Sequence, residues 1–288
     1  MVLADGSIVT ATKDTELLWA LRGGGGNFGV VTDMHIQLHH LPTVHSGVLI
    51  YPFAEGKAVL SACAEISMYS PDSLTVQVGF LAGPDGRLVT LVVPTWCGPP
   101  EEGNTRLAPY LKLGTILANS IATTSYQASL AAFDTDAVNG QRVFMETCWL
   151  PMLDHASIDT FIDAMEVSVS PSCAVFTHEF KGAASRVPAD ATAFGLRREH
   201  VLVEILATVA AKSDIPTQQR HYQWALKTLQ ALEAMALPGG YPNLLATRDA
   251  GRAAQSYGSN TARLMSAKRL YDPWNIFRSA IPLPVAED

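Results

Sequence analysis

The sequence predicts an α+β fold, an antiparallel sheet covered by helices. Three observations predict it. The stretch "LTVQVGFLAGPDGRLVTLVVPTW" (74–96) is a β-hairpin turned at Pro84-Asp85-Gly86, apolar on alternate positions from Leu74 to Phe80. "PTQQRHYQWALKTLQALEAMA" (216–236) is an amphipathic helix, with Trp224, Leu226, Leu229, Leu232 and Met235 near helical spacing. Strands followed by helices, with hairpins included, make a sheet layered with helices.

The elements follow in order. "VLADGSIVTA" (2–11) reads as two short strands joined by Asp5-Gly6. Such a hairpin is marginal alone, so a chain that starts here looks cut from something longer. "TKDTELLWALRG" (12–23) is a helix with Thr12 or Asp14 as its cap, Glu16 in its first turn and Gly23 as its stop. "FGVVTDMHIQLH" (28–39) has the β-branched, roughly alternating character of a strand. "PEEGNTRLAPYLKLG" (100–114) reads as a helix stopped by Gly114, and "SIDTFIDAMEVSV" (157–169) as another, capped by Ser157. "AVFTHEFKGAASRV" (174–187) and "HVLVEILATVAA" (200–211) resemble strands. "NTARLMSAKRLY" (260–271) is a short helix capped by Asn260 and ended by Asp272-Pro273.

Composition narrows the function. With 288 residues, 48% of them apolar, the chain can bury real cores. A net charge of −7 and a pI near 5.6 give no basic face for nucleic acid. No apolar run is long enough to span a bilayer and no leader follows Met1, which points to a cytoplasmic protein with no membrane partner. Cys63, Cys97, Cys148 and Cys173 are scattered without a C-x-x-C pair, as free, mostly buried thiols would be. His35, His39, His40 and His45 cluster, but lack an acidic or cysteine partner at ligand spacing; no metal is expected, and solvated strand-end histidines are the simpler reading.

Gly24, Gly26 and Gly29 satisfy G-x-G-x-x-G, yet they end a helix and start a strand. A dinucleotide fingerprint does the reverse, because a helix N-terminus must receive the pyrophosphate. The glycines suit either a flexible connector or close approach of the backbone to a ligand or another chain segment, and their entropic cost favours the second.

Three segments carry a family likeness: "LLWALRGGGGNFGVVTDMHIQLH" (17–39), "KGAASRVPADATAFGLRR" (181–198) and "YGSNTARLMSAKRLYDPWNIFR" (257–278). In order and spacing they resemble hallmarks of the berberine bridge enzyme-like FAD-linked oxidases, within the vanillyl-alcohol oxidase (PCMH-type) superfamily. The resemblance implies a remnant of the FAD-binding domain at 1–45, a substrate domain at 46–235 whose sheet forms the far wall of the active site, and a berberine-bridge-like segment at 236–288 returning to the flavin. It implies FAD contacts from Gly24, Gly25, Gly26, Asn27, Phe28, Gly29, Asn243, Tyr257 and Asn260. Tyr241 matches a substrate-facing tyrosine. A phenol needs a nearby cation to act as a base at neutral pH, and Lys181 and Arg197 are the candidates. Leu196 stands where the family more often has a histidine, which weakens any proton relay there. Arg186, Arg263, Tyr271, Asp272, Asn275 and Phe277 read as structural.

Family members carry, ahead of the position matching Met1, a portion with the pyrophosphate loop. This chain by itself is therefore expected to hold FAD poorly, and to need a partner chain carrying that portion or self-association. The implied activity is oxidation of a C–O or C–N bond in a small secondary metabolite or sugar. The alternatives are a flavin-free binding or scaffold protein, and a flavin-independent cyclase or isomerase using the same pocket.

Overall fold

A computed structural model describes residues 1–131, 139–245, 249–278 and 283. In chain order its first elements are α1 (Thr15–Gly24), β1 (Val44–Ser46), β2 (Leu49–Pro52), α2 (Gly56–Met68), β3 (Leu74–Ala82), β4 (Leu88–Trp96) and α3 (Gly103–Leu107). Then come β5 (Ala118–Asn119), β6 (Ala122–Thr124), α4 (Tyr126–Ala131), β7 (Gln141–Leu150), α5 (His155–Glu166) and β8 (Cys173–Phe180). The last are β9 (His200–Ala210), α6 (Ile215–Leu232), α7 (Ala250–Ser256) and α8 (Thr261–Tyr271). They fall into two units, Met1–Leu38 with Ala183–Arg198 and Leu237–Asp288, and His39–Gly182 with Glu199–Ala236.

The second unit is the sheet. Its strands run β5-β2-β4-β3-β8-β9-β7, with β1 joining β4 to β6, and every pairing is antiparallel. The β3–β4 hairpin forms in the expected register, Phe80 opposite Thr90, and Gly86 takes the positive φ of 79° that its turn requires. Alternation then decides the faces. Val76, Val78, Phe80, Val175, Val203 and Ile205 share one core with Leu60 of α2, Phe161 of α5 and Trp224 of α6. Each such fully buried side chain is worth about 1.5–3 kcal/mol. The intervening residues, Gln77, His178 and Glu204 among them, lie on the face without helices.

Two helix starts and one whole helix depart from the sequence reading. Asp154, not Ser157, caps α5: its Oδ1 accepts from Ser157 N at 2.9 Å while Ser157 Oγ accepts from Asp154 N at 3.0 Å, a capping box with Ser157 at its third position. The segment 100–114 is not one helix but short α3 between two 3₁₀ turns, since Pro109 has no N–H to continue the ladder. Asn260 precedes α8 without capping it, because its amide is turned to other carbonyls.

In the first unit Asp14 caps α1, accepting from Glu16 N at 3.1 Å and Leu17 N at 3.0 Å. Leu17, Trp19 and Ala20 then pack with Phe28, Tyr257, Leu264 and Ala267. The strand expected at 28–39 does not form. Val30 makes an isolated bridge to Val2, and residues 31–40 lie exposed without regular structure. Alternation proposes a strand, but only a neighbouring strand supplies its hydrogen bonds. Among the described residues no helix is long and apolar enough to cross a membrane.

Candidate functional site

The glycine run divides its work. Gly23 has φ +132°, and a Cβ there would stand 2.2 Å from Phe194 N, so this glycine lets α1 end directly against the 193–194 backbone. Asn27 Nδ2 donates to Gly24 O at 2.8 Å and closes the loop from inside, while Phe28 is fully buried in the α1–α8 core. Gly25 and Gly26 alone are exposed, and a Cβ on Gly26 would meet nothing within 4 Å. Close approach to the chain's own backbone accounts for Gly23; the free backbone at Gly25–Gly26 is where a ligand can come close.

Beneath the loop lies a buried ammonium that the sequence reading did not single out. Lys268 Nζ donates to Asn27 O at 2.8 Å, to Phe277 O at 2.7 Å and to Asp272 Oδ2 at 2.6 Å. Asp272 also accepts from Ile276 N and Phe277 N, both at 2.8 Å. Burial pushes the Asp272 carboxyl up, but the Lys268 ammonium and the two N–H groups outweigh it and hold the pKa below the usual aspartate value. The i, i+4 spacing of Lys268 and Asp272 on a helix end was its only sequence signal.

The other predicted residues of this unit divide between packing and exposure. Tyr257 is buried, and burial pushes its phenol pKa up to about 12. Asn260 Nδ2 donates to Ala189 O at 2.7 Å and Thr192 O at 3.1 Å, which ties the 189–193 segment to the start of α8. Asn243 Nδ2 donates to the Tyr241 hydroxyl at 3.0 Å, so these two do come together. Arg197 does not serve Tyr241: it donates to Phe194 O at 3.2 Å and Thr192 Oγ1 at 2.6 Å and lies over the Phe194 ring, and burial lowers its pKa.

In the sheet unit, Lys181 Nζ donates to Ser67 Oγ at 2.9 Å and pairs with Glu179 Oε2 at 3.3 Å. The helix-free face carries a polar row that the sequence did not announce. Gln77 Nε2 lies 3.4 Å from His178 Nε2, which lies 3.4 Å from Glu204 Oε2. These residues sit on three adjacent strands, 77, 178 and 204, and only the sheet register makes them neighbours. A half-exposed imidazole beside a mostly buried carboxylate can accept, share and release a proton.

Comparison with known proteins places this geometry. The family profile described as "Berberine and berberine like" matches residues 240–284. FAD-linked oxidoreductase aurO of Gibberella zeae is 28% identical over 96% of this chain and 55% of its own length. The uncharacterized FAD-linked oxidoreductase YgaK of Bacillus subtilis is 27% identical over 98% of this chain and 62% of its own. The chain is similar to FAD-linked oxidoreductases over nearly its whole length, and to the berberine type in its C-terminal segment. A BBE-like protein from Arabidopsis thaliana shares the fold, with a TM-score of 0.86 at 15% identity over 99% of this chain and 66% of that one. The chain spans little more than half the length of the curated relatives it matches.

Proposed function

We propose that the chain forms the substrate-sheet and C-terminal part of an FAD-dependent oxidase acting on a C–O or C–N bond of a small molecule, with electrons passed on to oxygen. The observation that carries the reading is the Gln77–His178–Glu204 row on the helix-free sheet face of a chain with these relatives. FAD, when bound, supplies the hydride acceptor. Gly25 and Gly26 are exposed, and Gly26, where a Cβ would meet nothing within 4 Å, fits such a group because its backbone admits close contact. Glu204 takes the substrate proton at Oε2, and His178 Nε2 shares it. Tyr241 and Asn243, hydrogen-bonded to each other, are a polar pair that the first unit offers to a ligand. Lys181 and Arg197, each held by other partners, keep supporting roles. The substrate is a small molecule, and secondary metabolism and a cytoplasmic setting belong to the same proposal.

Val31, Met34, Ile36 and Leu38 are 50%, 71%, 70% and 75% exposed. A run so apolar calls for cover from a partner chain bearing an FAD-binding portion or from self-association. That observation also favours a second reading, a flavin-free binding protein.

Flavin fluorescence separates the two. FAD titrated with the purified chain at high protein concentration should be quenched, weakly for a chain that needs cover, and Gly26→Trp should abolish the quenching while leaving the melting temperature in place. Quenching indifferent to Gly26→Trp would turn the balance to the flavin-free reading.

A further inference from the structure

The imidazole of His221 has no part in the roles above. It stands in the first half of α6, 5% exposed, against the turn between α5 and β8. Its Nδ1 lies 2.8 Å from Thr217 O, one helical turn back. A carbonyl oxygen can only accept, so Nδ1 carries the proton and Nε2 of the neutral ring is left as an acceptor. Ser170 Oγ lies 2.9 Å from that Nε2 and donates to it. A hydroxyl bonded to an imidazole whose other nitrogen is fixed by a third group is the arrangement that activates a serine nucleophile.

The two halves of the pair differ in access. The base is buried, while Ser170 is part-exposed in its turn, so a reagent in solution can reach the hydroxyl. Donors stand beside the oxygen as well. Ser172 N donates to Ser170 Oγ at 3.2 Å, and Ser172 Oγ, 2.7 Å away, can turn its proton to Ser170 Oγ or to Thr208 O. A carbonyl carbon bonded to Ser170 Oγ brings its own oxygen within reach of these donors, and they are the kind of group that holds a developing negative charge.

The surroundings favour an uncharged reactant. Val169 and Arg220, the chain neighbours of the pair, line a groove of about 550 Å³ between α5 and α6 with Ala164 and Trp224. Asp163, Arg220 and Lys227 give that groove both signs of charge, so it selects neither an anion nor a cation.

We propose that Ser170 and His221 form a nucleophile–base pair that hydrolyses small uncharged carboxylic esters. Ser170 Oγ bonds the acyl carbon as its proton passes to His221 Nε2; the bond from that carbon to the alcohol oxygen breaks, and the leaving oxygen takes the proton. Water, giving its proton to the same nitrogen, then releases the acid and restores the serine hydroxyl. No flavin enters, so this activity goes beyond the oxidase reading and stands or falls independently of it.

The test is reaction of the whole chain with diisopropyl fluorophosphate, followed by peptide mass mapping. The Oγ–P bond forms, the P–F bond breaks and fluoride departs. A single adduct is expected, on the peptide that carries Ser170. Ser170→Ala should lose it, and His221→Gln should react about 100-fold more slowly or worse, with hydrolysis of p-nitrophenyl butyrate falling in step. The site of the adduct in the parent chain needs no variant, so the test survives a variant that does not fold. No adduct on the parent chain, an adduct only at another residue, or labelling of a folded His221→Gln chain as fast as of the parent would overturn the proposal.

Discussion

Replacing Lys268 by Met tests whether the ammonium beneath the glycine loop holds that unit together. The substitution keeps the length of the side chain and deletes only its charge and donors. It strands Asp272, 1% exposed, without its counter-ion, and leaves the carbonyls of Asn27 and Phe277 without the donor they share. Removing one partner of a buried pair costs about 3–5 kcal/mol, far more than the pair itself contributes. At about 4–8 °C per kcal/mol for a unit of about 100 residues, its transition should fall by about 12–40 °C. Because the chain has two units, one melting temperature is not enough. Hydrogen exchange followed by peptide mass resolves them: residues 24–30 and 268–278 should lose protection, and β7 and β9 should not. Adding Asp272→Asn should make the double variant less unstable than the sum of the singles, since the stranded charge is gone. A Lys268→Met protein that melts within about 1 °C of the parent, with the loop still protected, would refute the reasoning.

Gly23→Ala should destabilise the same unit by about 1–3 kcal/mol, through a strained φ of +132° and a clash with Phe194 N, read as a drop in the denaturation midpoint. Acid should act on this unit too. The Asp272 and Asp14 carboxyls are both held below their ordinary values, the latter by the Leu17 N–H and the Tyr271 hydroxyl, so their stabilisation is complete above about pH 4 and is lost as pH falls through the folded values. Thermal scans down to about pH 2 should show that loss, and Asp272→Asn should flatten it. Among the four free cysteines Cys97 is exposed and the rest are buried, so iodoacetamide should label one site in the native chain and four in urea, as counted by intact mass.

Strong local periodicity and chemistry made much of the fold legible in the sequence: the β3–β4 hairpin, α6 with its apolar stripe, the α+β class and the family likeness of three ordered segments, while the cap of α1 was narrowed to Thr12 or Asp14. Elements lacking a clean period stayed hidden. β7 places Glu146 and Cys148 on one face and Thr147 and Trp149 on the other, so polar and apolar residues do not alternate. The strand reading of 28–39 failed in the opposite way, with alternation present and no partner to pair with. Tyr241 and Asn243 were named by the resemblance, and they touch each other because they are near in sequence. The Gln77–His178–Glu204 row, the Lys268 contact with Asn27 and the Ser170–His221 pair were not found, since each joins residues far apart along the chain. Sequence by itself determined which local conformations are cheap and which family the chain resembles; strand register and helix packing, which are set by burial across the whole chain, decided which chemical groups became neighbours.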